Sequence, residues 1–243
     1  MRDSLIVYGK QVINTLLECD SERVSRLVVS DNKVGKSFAQ LARSYRVPVD
    51  KVTSKKLDEM CDNELHQGAI ALLKGWPYQD EKDLYKLVEN NEAKNTILVL
   101  DNVQDPHNLG ACIRTADASG VTAVVIPKDN SSKLTSVVAK VSCGGLFTVP
   151  ICRVTNLSRV MTKLQELGVW FIGTDLSAEG SIDKIDLTGN VGIVMGAEGE
   201  GLRELTKKHC DFFCKLPMLG AVESLNVSVS TGICLYEVLR QRS

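Results

Sequence analysis

The chain has 243 residues, of which 44% are hydrophobic and 24% charged, and its formal net charge at pH 7 is −1. This composition supports a buried core, and the length fits one large α/β domain or a small domain followed by a medium one. No apolar run approaches the ~20 residues that a membrane span needs, and residues 1–5 lack a signal-peptide pattern, so the sequence predicts a cytoplasmic protein.

Eight cysteines occur, and none of them forms a Cys-x-x-Cys pair. In a chain of this size the pattern is typical of buried free thiols in a reducing compartment. His209, Cys210 and Cys214 are close enough in sequence to suggest metal ligands. Residues 211–213, between the two cysteines, are predicted to be a core strand instead, so we expect no metal site.

Residues 1–75 are predicted to form a small α/β domain. Apolar residues at 12, 13, 16 and 17 have the spacing of a helix. A strand is expected at 26–30, followed by a helix at 37–45. Two further strands, at 47–49 and 66–73, complete this domain.

The stretch from residue 23 to residue 57 carries a local excess of positive charge. It contains nine Lys or Arg against two Asp, with Phe38 and Tyr45 interleaved. A basic surface of this kind can hold a phosphate backbone without reading the base sequence. It can equally be an ordinary solvated helix face, so charge alone favours an RNA contact without establishing it.

Residues 76–95 are predicted to link this domain to a second one. Trp76-Pro77 interrupts the apolar pattern, and the polar stretch that follows contains one short amphipathic helix near 84–88. The linker ends where a long alternation of apolar and amphipathic segments begins.

Residues 96–243 are predicted to form an α/β domain. Strands that are apolar along their whole length and separated by helices indicate a parallel sheet that is covered on both faces. The strands are expected at 97–100, 123–126, 149–151, 170–173, 191–195 and 212–216, and the helices at 108–119, 134–141, 157–167 and 228–241.

Three polar segments of this domain each follow a predicted strand. They cover residues 105–114 (DPHNLGACIR), 196–202 (GAEGEGL) and 216–228 (LPMLGAVESLNVS). Because ligands bind beyond the carboxyl ends of parallel strands, we expect the three segments to form one site. The second segment lacks the Gly-x-Gly-x-x-Gly order of dinucleotide-binding loops, which disfavours a nicotinamide-dependent oxidoreductase.

Four polar residues in these segments are candidates for a functional role. Asn108 is expected at a helix N-cap, a structural role worth about 1 kcal/mol. Arg114 lies on the same predicted helix among small residues, and Asn226 is an amide that needs specific partners if it is buried. Glu198 lies in a glycine-rich turn, where a carboxylate has little packing role. Each residue alone fits a structural role, but together, at strand ends, they predict a site.

Taken together, the three segments resemble the signature motifs of the SpoU branch of the SPOUT RNA 2′-O-methyltransferases. The resemblance covers residues 96–242, and all three motifs are intact. It implies a ribose 2′-O-methyltransferase that uses S-adenosyl-L-methionine. The residues implied in catalysis are Asn108, Arg114, Glu198, Asn226 and Ser224, and those implied in cofactor binding are Met195, Gly196, Gly201, Leu216 and Leu225.

The role of Arg114 stays open at this point. The resemblance implies that this arginine acts on the ribose hydroxyl, but a free guanidinium is effectively always protonated. Arg114 could instead hold a substrate phosphate through two hydrogen bonds, while Glu198 or a water molecule accepts the proton.

The resemblance also has implications for fold and partners. It implies a trefoil knot in the C-terminal segment, and an L30e-like RNA-binding domain at residues 1–75, matched by Tyr8-Gly9 and residues 66–68. It implies a homodimer in which Arg114 reaches the partner's cofactor, and a guanosine ribose of 23S rRNA as substrate. A tRNA ribose methyltransferase of the same branch would use identical catalytic residues. A non-catalytic RNA-binding module is disfavoured because no motif residue is missing.

Overall fold

The computed structural model describes residues 5–197, 199 and 201–243. The chain folds into two compact units. The first unit combines residues up to 77 with residues 133–148, and the second combines residues 78–132 with residues 149–243. No helix among the described residues is both long and apolar enough to cross a membrane.

The first unit is built on a four-stranded sheet in the order β1-β4-β2-β3, in which β4 is antiparallel to both neighbours and β2 is parallel to β3. Its elements before residue 77 are β1 (Ile6–Tyr8), α1 (Lys10–Asp20), β2 (Val24–Ser30), α2 (Lys33–Ser44), β3 (Val49–Val52), α3 (Ser54–Met60) and β4 (Ala69–Leu73).

Local chemistry sets two of these element boundaries. The side chain of Asn32 accepts hydrogen bonds from the amides of Val34 and Gly35, so α2 begins four residues earlier than its apolar pattern indicates. Pro48 has no N–H to donate, and β3 begins only at the next residue.

Thirteen further α-helices and strands follow along the described part of the chain. They are β5 (Tyr78–Gln79), α4 (Glu81–Asn90), β6 (Thr96–Leu100), α5 (Pro106–Ala118), β7 (Ala123–Pro127), α6 (Ser136–Val141), β8 (Ile151–Val154), α7 (Leu157–Glu166), β9 (Trp170–Thr174), β10 (Val191–Met195), α8 (Glu204–Lys207), β11 (Phe212–Cys214) and α9 (Val227–Arg242).

The second unit contains a seven-stranded sheet in the order β11-β9-β10-β6-β7-β8-β5. Every pairing in it is parallel. The strands β6, β7 and β10 are buried along their whole length. One face packs against α4 and α7 in a common apolar core, while α9 packs against β10 and α5. The predicted α/β class with a covered parallel sheet is confirmed, and the trefoil knot stays a prediction.

Three stretches differ from what their sequence patterns predict. Residues 78–90, expected in a linker, form β5 and α4, and β5 extends the seven-stranded sheet beside β8. The helix α6 lies in the first unit, where the ammonium group of Lys140 donates a hydrogen bond to the carboxylate of Glu64 at 2.7 Å. Residues 211–213 are not a core strand, because β11 is an edge strand and the rings of Phe212 and Phe213 are exposed.

Candidate functional site

The three polar segments lie at one edge of the seven-stranded sheet. They follow β6, β10 and β11, and the order β11-β9-β10-β6 makes these strands neighbours or near neighbours. Since all pairings are parallel, the carboxyl ends of these strands share that edge. The loop after β9 lies between the others and joins the same region, although no motif marks it in the sequence.

A cavity of about 400 Å³ opens at the ends of β9, β10 and β11. All five residues predicted to bind a cofactor line it, and so does Ser224. The cavity is closed by residues from the loop after β9 and from the first turn of α9. The residues that line the cavity include Thr174, Asp175, Leu176, Met195, Gly196, Ala197, Gly201, Leu202, Lys207, Cys214, Leu216, Met218, Glu223, Ser224, Leu225 and Val227.

The glycine-rich loop closes tightly on itself. Ala197 and Gly201 exchange two backbone hydrogen bonds, of 3.1 and 3.0 Å. A Cβ atom at Gly196 would lie 2.2 Å from the carbonyl group of Gly201, and Gly201 itself has a φ of +69°. Glycine is therefore required at 196 for space and favoured at 201 for conformation. Glu198 lies outside the described residues.

An ion pair between a buried carboxylate and an exposed arginine fixes the far end of this loop. The carboxylate of Asp101, directly after β6, is 0% exposed, and its Oδ1 lies 2.5 Å from Nη2 of Arg203. The amide of Arg203 also donates to Oδ2 at 3.4 Å, and the amide of Asp101 donates to the carbonyl of Met195. Because a buried carboxylate needs a partner, this pair holds the end of the loop against β6 and β10.

A second charged pair lies in the cavity wall. Lys207 Nζ is 3.0 Å from Asp175 Oδ2. Hydrogen bonds from the hydroxyl and amide of Ser177, together with Lys207, hold the pKa of Asp175 below its usual range. The hydrogen bond to Asp175 raises the pKa of Lys207. Sequence reasoning missed both residues, whose only signal is that Asp175 lies two positions after the strand predicted at 170–173.

Asn108 and Asn226 come together at the mouth of a neighbouring recess of about 320 Å³, which Asn108 lines. The side-chain amide of Asn226 donates to Asn108 Oδ1 at 2.9 Å, which joins the start of α5 to the start of α9. The two cavities share Ala197 and Val227 in their walls. The recess therefore borders the larger cavity.

The structure corrects the expected capping role of Asn108. The N-cap of α5 is Asp105, whose carboxylate accepts from the amides of His107 and Asn108, and Pro106 occupies the first helical position. Asn226 is the residue that caps a helix, because its Oδ1 accepts from the amide of Ser228 at the start of α9. The side chain of Asn108 is thus available to Asn226.

Arg114 lies apart from both cavities. It is exposed on α5 and lines neither of them. The opposite side of α5 is buried against α9, where the thiol of Cys112 lies 3.4 Å from the hydroxyl of Thr231. The small residues of α5 therefore allow close packing, and Arg114 points away from that contact.

The cavity suits a ligand of the size and chemistry of S-adenosyl-L-methionine. Its volume lies in the range of small-molecule sites, about 300 to 1,000 Å³. Backbone groups of Gly196 and Gly201 border it, and Leu176, Leu202 and Leu225 offer apolar surface for a planar base. The carboxylate of Glu223 offers negative charge for a cation, whereas that of Asp175 is already paired with Lys207. These residues fit the cofactor that the motifs imply.

The described residues contain no group of three potential metal ligands from His, Cys, Asp or Glu. His209 instead lies 3.3 Å from the hydroxyl of Thr162, and the thiol of Cys210 donates to the carbonyl of Thr206. Burial raises the pKa of Cys210 to about 12, so this thiol stays protonated.

The profiles of two known families together match nearly the whole chain. The profile of the SpoU rRNA Methylase family matches residues 95–236. A second profile, described as RNA 2′-O ribose methyltransferase substrate binding, matches residues 6–79. The first match contains the larger cavity and the adjoining recess.

Individual proteins are similar to this chain over nearly its whole length. A 23S rRNA (guanosine-2′-O-)-methyltransferase RlmB from Pseudomonas putida is 46% identical, covering 97% of this chain and 96% of its own. The protein of that name from Escherichia coli K12 is 44% identical over 99% of this chain and 100% of its own. The crystal structure of an AdoMet-bound rRNA methyltransferase from Sinorhizobium meliloti has a TM-score of 0.81 at 25% identity, covering 98% of this chain and 87% of that one.

Proposed function

The chain belongs to the SpoU rRNA methylase family, and we propose that it methylates the 2′-hydroxyl of a guanosine ribose in 23S rRNA. The observation that carries the proposal is the cavity at the ends of β9, β10 and β11, lined by all five residues that the motifs assign to the cofactor. The near full-length identity to RlmB proteins supports the choice of 23S rRNA over tRNA.

S-adenosyl-L-methionine, when bound, supplies an activated methyl group on a sulfonium centre. The chain's own task is to position the ribose hydroxyl and to remove its proton. Backbone groups around Gly196, Leu216 and Leu225 would hold the cofactor, and the Asp101–Arg203 pair keeps the loop that carries Gly196 in place. The Asn108–Asn226 hydrogen bond orients two amides where the recess meets this cavity.

We propose Arg114, Asn108, Glu198, Asn226 and Ser224 as the residues that serve catalysis. Two amides cannot accept a proton at neutral pH, so they orient groups by hydrogen bonding. Arg114 contacts the ribose hydroxyl or the neighbouring phosphate, and in the second case Glu198 or water accepts the proton. The planar guanidinium suits the phosphate role because it can donate two parallel hydrogen bonds.

We further propose a homodimer in which Arg114 serves the cavity of the partner. Two observations support this. Arg114 is exposed on α5 and does not line its own chain's cavity. On α9, which packs against α5, Val229, Ile233 and Tyr236 are 50%, 42% and 56% exposed at helical spacing, which gives an apolar stripe suited to burial against a second copy.

The proposed division of labour follows the domains predicted from sequence. Residues 1–75 bind the RNA and residues 96–243 carry the cofactor site, while residues 78–90 of the predicted linker belong to the sheet and core of the second unit. The substrate-binding profile over residues 6–79 supports the first assignment. Since the substrate is ribosomal RNA, the cytoplasm is the proposed site of action.

Purified protein tests the proposal directly. We expect calorimetry to detect binding of S-adenosyl-L-methionine, and methyl groups with a radioactive label to enter an unmodified 23S rRNA transcript at one guanosine. Transfer to a tRNA transcript in place of 23S rRNA would instead indicate a tRNA ribose methyltransferase of the same branch. Absence of cofactor binding, with and without RNA, would contradict the proposed activity.

A further inference from the structure

One helix of the first unit has an outer face with positive charge only. Among the described helices of ten or more residues, α2 alone contains no Asp or Glu. No acidic residue occurs in the sequence between Asp31 and Asp50, although the whole chain has a net charge of −1. The absence of acids is therefore a local property of this helix and of the turn that follows it.

The basic residues of α2 share one face. Gly35, Phe38, Ala39 and Ala42 are buried, and α2 packs on β2 and β3. Helical periodicity places Lys33, Lys36 and Arg43 away from those residues, and all three are exposed. From Lys33 to Arg43 the face extends for about 15 Å. Gln40 is also exposed on it and can donate a neutral hydrogen bond, whereas the exposed hydroxyls of Ser37 and Ser44 already donate to backbone carbonyl groups.

Among the described residues, the charges of this face have no paired counter-charge. Elsewhere in the basic stretch, Arg26 pairs with Asp50 at 2.7 Å and Lys56 pairs with Glu59 at 3.0 Å. In the part of the chain that the structure describes, Lys33, Lys36 and Arg43 take part in no ion pair. A phosphate that approaches α2 would therefore meet three cations that are free to bind it.

Binding at this face depends on side chains and not on the end of the helix. The side chain of Asn32 already accepts from the amides of Val34 and Gly35. The first turn of α2 therefore has little capacity left for an anion. Phe38 is buried and cannot stack on a base, whereas Tyr45, just after the helix, is exposed.

We propose that Lys33, Lys36 and Arg43, on the outer face of α2, hold the sugar-phosphate backbone of the RNA substrate. This inference rests on the proposed function and names three of the nine basic residues between 23 and 57 as contacts to RNA. Contacts to phosphate fix register without reading bases, so α2 contributes affinity and salt dependence. Residues outside α2 would select the guanosine that is methylated.

The test compares two triple variants with the same loss of charge. The first is Lys33→Gln, Lys36→Gln, Arg43→Gln. The control is Arg26→Gln, Lys56→Gln, Lys163→Gln, which removes three cations that are exposed but already ion-paired. The affinity of each full-length protein for an unmodified 23S rRNA transcript is measured from 50 to 300 mM KCl, a range on the order of that in which phosphate contacts are lost.

We expect the α2 variant to bind the transcript about 10- to 100-fold more weakly, and its log–log salt dependence to be lower by about 2, since each phosphate contact contributes about 0.7 to 0.9. The control should stay within threefold of wild type with an unchanged slope. A variant with Lys33→Arg, Lys36→Arg and Arg43→Lys should keep the wild-type slope, and circular dichroism should report the same fold for all four proteins.

An unchanged slope in the α2 variant, or equal losses in both triple variants, would overturn the proposal. The cofactor readout separates this failure from failure of the proposed function. If wild-type protein methylates the transcript while the α2 variant binds RNA normally, only the α2 assignment is wrong. If the α2 variant loses RNA affinity but wild-type protein neither binds S-adenosyl-L-methionine nor transfers methyl groups, the proposed function is wrong.

Discussion

Arg114 poses the central question at the scale of single residues. It belongs to the motif that contributes Asn108, yet it is exposed and does not line the cavity of its own chain. An exposed arginine with only a structural role would be replaceable, because surface substitutions change stability little. A role in catalysis, in contrast, makes a measurable prediction about turnover.

We predict that Arg114→Ala lowers kcat by at least about 100- to 1,000-fold, the range seen when one group that stabilises a transition state is removed. Its affinity for S-adenosyl-L-methionine should remain near wild type in calorimetry without RNA, because the proposed contacts of Arg114 are with the ribose hydroxyl or the phosphate of the RNA and not with the cofactor. Arg159→Ala, another exposed arginine on a helix, is the control and should keep full activity. Activity of Arg114→Ala within a few-fold of wild type would rule out both proposed roles.

Sequence patterns predicted which residues lie at the site better than they predicted the contacts of those residues. The residues assigned to the cofactor line one cavity, because their segments follow parallel strands whose carboxyl ends share an edge. The cap of α5 was assigned wrongly, since both Asp105 and Asn108 are good caps and only the position of Pro106 distinguishes them. Asp175 and Lys207 were missed because their pairing joins residues 32 positions apart, which no local pattern records.

At the scale of elements, the glycine-rich loop and the C-terminal helix are held by different means. The loop after β10 depends on the absence of a side chain at Gly196. The end of α9 depends on a single charged side chain, since the guanidinium of Arg242 donates to four carbonyl groups and one hydroxyl: those of Leu187, Lys94, Asn95, Gly189 and Thr96.

We predict that Gly196→Ala weakens the binding of S-adenosyl-L-methionine about 10- to 100-fold, because overpacking costs about 1 to 3 kcal/mol and 1.4 kcal/mol is a factor of ten. The added Cβ would overlap the carbonyl group of Gly201. Gly180→Ala is the matched control, since a Cβ there meets no atom within 4 Å. Calorimetry measures both variants, and equal affinities would mean that the loop does not form the cofactor site.

We predict that Arg242→Ala lowers the free energy of unfolding by about 2 to 3 kcal/mol, because it removes several charge-assisted hydrogen bonds that tie α9 to the start of β6. Arg240→Ala is the control, since the exposed side chain of Arg240 pairs with Glu237 on the same helix and does not tie α9 to β6. Urea denaturation measures both variants. A loss in Arg240→Ala as large as that in Arg242→Ala would contradict the proposed anchoring role.

The ends of several helices and strands could not be predicted from the spacing of apolar residues, because other interactions determine them. The side chain of Asn32 starts α2 before its first buried residue. The helix α3 has Leu57 as its one buried residue among seven, so it offers no period to detect. The two-residue strand β5 forms only because β8 is available as a partner, a long-range condition.

At the scale of the whole molecule, the α/β class was predictable and the path of the chain was not. Six apolar strands separated by helices specify a covered parallel sheet. Nothing in residues 133–148 indicates that they pack in the first unit, where Gly144 approaches the side chain of Thr15. Contacts between distant parts of the sequence decide such placements.

We predict that co-expressed Arg114→Ala and Asn226→Ala chains recover roughly a quarter of wild-type activity, because half of the dimers are mixed and each mixed dimer has one intact site. Each variant alone should be inactive. Light scattering at micromolar concentration should show a dimer for wild type and for the mixture. A fully active monomer, or mixed dimers without activity, would contradict the proposal that Arg114 serves the partner's site.

The account rests on the claim that this chain methylates one guanosine ribose of 23S rRNA, and ribose-methylation mapping tests it most directly. Ribosomal RNA and tRNA are mapped from cells that lack the protein, from the same cells with the wild-type chain restored, and from cells with Arg114→Ala. We predict that one 2′-O-methylguanosine of 23S rRNA disappears, returns with the wild-type chain and stays absent with the variant. An unchanged 23S rRNA pattern together with a missing tRNA methyl group would contradict the claim.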